Sequence, residues 1–247
     1  MPPSLKVRFQ NTFQSELRAS ITMNTHRRSL SEILANAQLT PLVASSITSD
    51  QTYESFVIQD ADLKESRNPG ICFEYGLFEK ANLTACKWMS LEVIKVAFTS
   101  CTLSNANWGG AEIEDSEFHR SQLTGFNLAG ARIVNTHFSR CKVDLSLFHD
   151  AQLKNCRFEN CDLREADFQA AKLKQVTFRN CDLRGARFAA ATLEDLDFRG
   201  SQIAGIHIEP TELSGTKVDA GQVVDFAELL GLVVEGLGED DPIYSGE

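Results

Sequence analysis

Residues 151–190 read AQLKN CRFEN CDLRE ADFQA AKLKQ VTFRN CDLRG ARFAA, and set in fives they place Leu153, Phe158, Leu163, Phe168, Leu173, Phe178, Leu183 and Phe188 under one another. The column extends both ways: from Phe73 to Val218 every fifth residue is apolar, at 30 consecutive positions. In a chain that is 43% hydrophobic such a run does not arise by chance. Its period is neither the 3.6 of a helix nor the 2 of a long strand. Two residues before each centre, 25 of the 30 positions hold Ala, Cys, Ser, Thr, Val or Gly. Two inward residues separated by one outward residue describe a very short strand. The rest of each unit is mostly polar, so the chain turns a corner after every inward pair and must coil.

Phe78, Phe98, Phe118, Phe138, Phe158, Phe178 and Phe198 recur every 20 residues, which makes four units per turn and stacks one wall of the coil with phenylalanine. The opposite wall carries Trp88, Trp108, Leu128, Phe148, Phe168, Phe188 and Ile208. Thirty units give about seven and a half coils, a rod of roughly 35 Å at the spacing of paired strands. Units such as Ala81-Asn82-Leu83, Ala166-Asp167-Phe168 and Cys181-Asp182-Leu183 resemble those of the pentapeptide-repeat proteins. The resemblance implies an all-β solenoid, a right-handed quadrilateral β-helix, here over 51–218.

The ends depart from the rule. Residues 1–50 are read as a leader and a capping segment that closes the first coil, with a short helix expected from Ser29 or Ser31 to about Ala37. Residues 1–25 are expected to be a disordered leader; their composition also fits a transit peptide, and Met23 is a second candidate start. Asn68, within Ser-Arg-Asn-Pro-Gly, stands where an apolar centre belongs and predicts a local loop or flattened corner. After Val218 the stretch 219–231 reads as a helix with Asp219 as N-cap and Gly231 as its stop. Val223, Phe226, Ala227 and Leu230 share one face of it, and 232–234 has strand character. Residues 219–234 are read either as a lid over the last coil or as a lid that also serves as a dimerisation cap through the unpaired edge of its strand, followed by an acidic tail over 235–247.

Net charge is −10, from 24 basic and 34 acidic residues. This sign argues against a phosphate-binding surface. The last 47 residues hold 1 basic and 10 acidic side chains and carry nearly all of the excess. Within the coils, Glu112, Glu114, Asp115 and Glu117 are followed four coils later by Glu194, Asp195 and Asp197. With Glu209 and Glu212 they form a candidate acidic face, although Lys154, Arg157 and Lys174 fall between the two groups.

Lys217-Val-Asp219, Gln222, Ala227, Leu230-Gly231-Leu232 and Val234 are similar to the C-terminal end of the Qnr-type quinolone-resistance proteins. That resemblance implies a tail-to-tail homodimer with Val223, Phe226, Leu230, Leu232 and Val234 at the interface. It also implies binding to type II DNA topoisomerases, gyrase and then topoisomerase IV, by mimicry of duplex DNA, with protection from quinolones or other poisons as resistance or self-immunity. The five-residue phase is unbroken from 73 to 218, so the chain looks more like the loop-free mycobacterial type or the immunity proteins than the loop-bearing Gram-negative ones. The alternative is a non-enzymatic scaffold or effector that presents a solenoid surface to another protein partner.

Six of the seven cysteines, Cys86, Cys101, Cys141, Cys156, Cys161 and Cys181, occupy the small inward position and read as reduced core filler in a cytoplasmic protein. His26, His119, His137, His149 and His207 show no metal-ligand spacing and read as surface residues. No nucleophile elbow, phosphate loop or dinucleotide fingerprint is present. Neither an enzyme nor a cofactor is expected, and no stretch has the roughly 18 apolar residues of a membrane span.

Overall fold

The computed structural model describes residues 29–229 and 231–232. The repeat forms a four-sided parallel solenoid of about eight turns, with two eight-stranded sheets on adjacent walls. The Phe wall pairs Thr40–Pro41, Phe56–Gln59, Leu77–Glu79, Ala97–Thr99, Glu117–His119, His137–Ser139, Arg157–Glu159 and Thr177–Arg179. Its neighbour pairs eight strands from Thr52–Glu54 to Thr192–Glu194. From Phe56–Gln59 onward the register is 20 residues, for example Phe118 to Phe138 to Phe158, while Thr40–Pro41 pairs at an offset of 16, Thr40 to Phe56. The other two walls join successive coils through single bridges, such as Asn82 to Thr102 and Asn107 to Asn127.

Every fifth residue from Asp50 to Gly205 has φ between +49° and +79°, so each corner is turned in the left-handed region. Of these 32 corners 17 are Gly, Asn or Asp, the residues that reach it most cheaply. The other corners carry side chains that must hold a conformation costing on the order of 1 kcal/mol, Leu145 (φ +58°, exposed) among them. The beat runs through Asn68 without a loop, contrary to expectation: Glu65 and Gly70 both turn on time, and the Asn68 amide donates to the Ile47 carbonyl at 3.1 Å. A polar centre is tolerated there because the capping segment supplies that acceptor.

The lumen is filled by rings. Phe78, Phe98, Phe118, Phe138 and Phe158 stack in register with centroids 4.6–4.8 Å apart. Phe148, Phe168 and Phe188 do the same on the opposite wall at 4.7 and 4.8 Å. Large and small residues compensate between coils. Phe126, at a normally small position, packs edge-on against Trp108 at 5.0 Å, where the next centre is only Leu128. Phe56 is accommodated by Gly76, where a Cβ would lie 2.1 Å from the ring. The buried indoles find acceptors, Trp88 on Ser66 Oγ (3.0 Å) and Trp108 on Cys86 Sγ (3.4 Å).

Cys101, Cys141, Cys161 and Cys181 stack in one column with Ser121 and Ser201, as the spacing predicts. Their thiols donate to carbonyls of the preceding coil, for example Cys101 to Phe78 and Cys181 to Phe158, both at 3.4 Å. All seven cysteines are free. Burial pushes the Cys86, Cys101 and Cys156 thiols up to about 12, which leaves them protonated and inert.

The N-terminal helix, α1 (Leu30–Ala35), is capped by the Ser29 hydroxyl, which accepts from Glu32 N–H. It does not close the first coil. Leu30, Ile33 and Leu34 instead pack on the outside of the Phe wall, over Leu77 and Ala97 with Val57 and Tyr75 beside them. The end is closed by 40–47, where Thr40–Pro41 adds to the sheet and Ile47 enters the core. Three buried side chains at roughly 1.5–3 kcal/mol each stand against roughly 1–2 kcal/mol of backbone entropy for each of six residues. The docking of α1 is therefore close to balance.

Candidate interaction surfaces

The C-terminal end is built from a 3₁₀ turn, Pro210–Leu213, and a helix, α2 (Gln222–Leu229). The turn replaces the strand-like unit expected around Leu213, because Pro210 follows Glu209 and a reciprocal capping box joins Glu209 to Glu212. Asp219, expected as the N-cap of α2, turns its carboxylate to Gly200 N–H instead. Gln222 plugs the last coil: its Nε2 donates to the Phe198 and Ser201 carbonyls (2.8 and 2.7 Å) and its Oε1 accepts from Asp219 N–H. Gly231 ends the helix at φ +73°, and Leu232 N–H closes back on the Ala227 carbonyl.

The five residues expected at a dimer interface do not fall on one surface. Phe226 is only 8% exposed and belongs to the solenoid's own core, because its face of the helix is the one that covers the open coil. Val223 and Leu232 are 54% and 57% exposed and point away from it. Leu230 lies outside the described residues, as do Val234 and most of the expected strand.

The acidic residues are distributed rather than continuous. Glu112 and Glu114 stand on the outer face of the second sheet, but the same two columns continue as Arg132, Lys154, Lys172 and Lys174 before Glu194. Arg132 comes within 3.9 Å of Glu114, Lys95 pairs with Asp115 at 3.2 Å and Lys174 pairs with Glu194. Asp197 is 7% exposed and accepts from Nε and Nη2 of Arg199 at 2.9 and 2.8 Å, which keeps its carboxyl below the usual range. Glu117 is 4% exposed beneath α1 and accepts the Ser31 N–H at 3.0 Å. Glu117 and Asp197 are thus withdrawn from any partner, while Glu112, Asp195 and Glu209 remain exposed and Glu212 serves its own turn.

Sequence reasoning missed the groove of about 590 Å³ beside α1, lined in part by Glu117, His119, Arg120, His137, Ser139 and Arg140. His119 and His137 are not ordinary surface residues. His119 Nδ1 meets Ser139 Oγ at 2.7 Å, and burial lowers the imidazole's affinity for a proton against the opposing pull of Glu117. His137 Nε2 lies 3.3 Å from Glu159, out of hydrogen-bond alignment. The signal was available: the outward column of this wall reads Val57, Leu77, Ala97 and then only polar residues, Glu117, His137, Arg157, Thr177, Asp197 and Lys217. Among the described residues no three metal-ligating side chains converge, and no helix is long and apolar enough to cross a membrane.

Comparison with known proteins bears on the fold. No curated protein matches. Among solved structures, QnrB1, a plasmid-mediated fluoroquinolone resistance protein, matches at 18% identity over 75% of this chain and all of its own, with a TM-score of 0.34. HetL, a pentapeptide repeat protein involved in heterocyst differentiation regulation in the cyanobacterium Nostoc, matches at 14% over 77% of this chain and 95% of its own, with a TM-score of 0.39. A pentapeptide repeat protein of the Arabidopsis thaliana thylakoid lumen matches at 22% over 40% and 68%, with a TM-score of 0.33. The family model for the pentapeptide repeat region matches residues 91–158 and 151–225, more than half of the sequence. With the five-residue column and the four-sided coil it describes, this chain belongs to the pentapeptide-repeat family.

Proposed function

We propose that this protein is a cytoplasmic, non-enzymatic ligand of type II DNA topoisomerase, gyrase in the first place, that occupies the enzyme's DNA-binding saddle and protects it from quinolones or other poisons. The observation that carries this reading is the C-terminal cap. Its sequence is similar to the Qnr-type dimer end, and Val223 of α2 and Leu232 just past it are exposed while Phe226 and Gln222 close the coil. Two rods joined there would bring the 1 basic and 10 acidic residues of 201–247 together from both copies, at the middle of a particle of doubled length. An acidic centre on a long rod suits a cationic groove made for duplex DNA. The unbroken run of corners from 50 to 205 supports a loop-free member of this kind, one that acts through its rod and not through inserted loops.

The test is assembly followed by binding. Sedimentation of the full chain is expected to give a dimer, and Val223→Asp with Leu232→Asp is expected to give a monomer whose melting temperature for the coils is unchanged. Immobilised gyrase should then capture the wild-type chain with an affinity that falls as salt is raised, and the monomeric variant at least tenfold more weakly. A wild-type chain that sediments as a monomer, or ignores gyrase and topoisomerase IV alike, leaves the scaffold reading in its place.

A further inference from the structure

We propose that the outer face of the Phe wall over its first coils is a docking surface for a short acidic amphipathic helix of a partner protein, and that α1 is a copy of that ligand carried in cis. The inference is independent of the topoisomerase reading. Solenoid strands point every second residue to solvent, and along this wall the outward column runs Val57, Leu77, Ala97 before it becomes Glu117, His137, Arg157. An apolar strip three coils long, with Tyr75 at its corner, belongs to a binding surface rather than to a wetted one. What fits it is displayed by α1: Leu30, Ile33 and Leu34, at i, i+3 and i+4, are 8%, 7% and 0% exposed there.

Charge adds a second determinant. Arg120 and Arg140 turn the same corner in consecutive coils beside the helix, and neither forms an ion pair among the described residues. Glu32 of α1 shares their groove. The other carboxylates on its rim are engaged: Glu79 by the Gln59 amide, Glu159 by Arg157 at 3.6 Å, and Glu117 by the Ser31 N–H. The recognised pattern is therefore apolar, any residue, acidic, apolar, apolar, as in Leu30-Ser-Glu-Ile-Leu34. The groove continues past α1 along His119, Ser139 and Asn160, so a partner helix longer than six residues has further wall to cover.

The resident copy is displaceable. Six residues do not sustain a helix in water, so α1 is helical only because the wall holds it. Its polar tie to the wall's strands is Ser31 N–H on Glu117, whereas each inner coil is held by ladders to both of its neighbours. Such an element opens locally while the rod stays folded.

The experiment uses the full chain and a fluorescent peptide of residues 27–38. In Leu30→Asp with Leu34→Asp, the strap is released; this variant is expected to bind the peptide at least tenfold more tightly than the wild type, by anisotropy. Adding Ala97→Glu to the released chain should abolish binding, and Glu32→Gln in the peptide should weaken it severalfold. In the wild type, the Ile33 amide is expected to exchange with deuterium at least a hundredfold faster than the Phe118 amide, a readout that needs no variant to fold. A released chain that ignores the peptide, binding indifferent to Ala97→Glu, or an Ile33 amide that exchanges only with the coils overturns the proposal. Concentration-dependent self-association of the released chain with no peptide binding would assign the surface to a second copy and equally overturn it.

Discussion

A coil from the middle of the rod and the lid at its C-terminal end each close round a phenylalanine, yet different forces hold them. Phe158 sits between Phe138 and Phe178 at 4.6 and 5.1 Å, and its coil is hydrogen-bonded to neighbours above and below through two parallel ladders and two bridged walls. Phe226 covers the last coil from one side only, fixed by the Gln222 amide on two carbonyls and by a one-turn closure at Gly231. In the coil the stabilising contacts are collective and repeat without variation. In the lid they are few, and the side chains not used for closure point outward. On the proposed reading, specificity for a partner belongs to the ends and flanks of this molecule, and its middle supplies reach and stiffness.

The contrast can be broken most forcefully at the ring stack. Phe158→Ala should cost about 3–5 kcal/mol, because a layer is removed from a lumen that cannot collapse round the gap. Denaturant unfolding of the variant measures it, and a loss below 1 kcal/mol would mean that the stack is not what holds the coils. Gln222→Ala is expected to cost less, about 1–3 kcal/mol, since it leaves the Phe198 and Ser201 carbonyls unpaired under the lid. Amide exchange over 222–229 should quicken severalfold while the coil amides keep their protection.

Acid should distinguish the two regions as well. Arg164, Arg184 and Arg199 hold the carboxyls of Asp162, Asp182 and Asp197 below their ordinary value, and all three pairs lie in the coils. A depressed carboxyl contributes stability that is complete above its unfolded value of about 4 and is lost as the pH falls through the folded one. His119, whose proton affinity is lowered by burial, adds a loss that begins as the pH drops below about 6.5. Stability of the coils against urea is therefore expected to fall in two steps on acidification, with the upper step absent in His119→Gln. The smallest effect expected is a gain: Leu145→Gly relieves a bulky left-handed corner and should stabilise by about 0.5–1 kcal/mol.

The four-sided coil was legible because its signal is repeated: one apolar column and one small column, each sampled 30 times, leave no other fold to satisfy both. The Phe158 stack and the Cys101–Cys181 column follow from the same arithmetic. Where a feature occurs once, the reading had less to average. A short helix from Ser29 or Ser31 is legible in the sequence, yet its position on the flank depends on Val57, Leu77 and Ala97, three outward residues separated by 20 in sequence. Asn68 signals a break in the sequence because the Ile47 carbonyl it uses belongs to a different segment. Phe226 was assigned outward because a helical face alone does not say whether it meets its own coil or a second copy. The acidic face is already interrupted in sequence by Lys154, Arg157 and Lys174, and folding withdraws two more of its members, Glu117 under α1 and Asp197 against Arg199.

The central claim is that the lid end makes this rod a dimeric topoisomerase ligand, and a gyrase supercoiling assay tests it most directly. The full chain would be titrated with and without a quinolone, beside the chain carrying Val223→Asp and Leu232→Asp. The account predicts inhibition of supercoiling, or relief from the drug, at micromolar wild-type protein and a loss of at least tenfold in potency for the double variant. Equal potency of the two chains, or no effect of either at a large molar excess over gyrase, would contradict it.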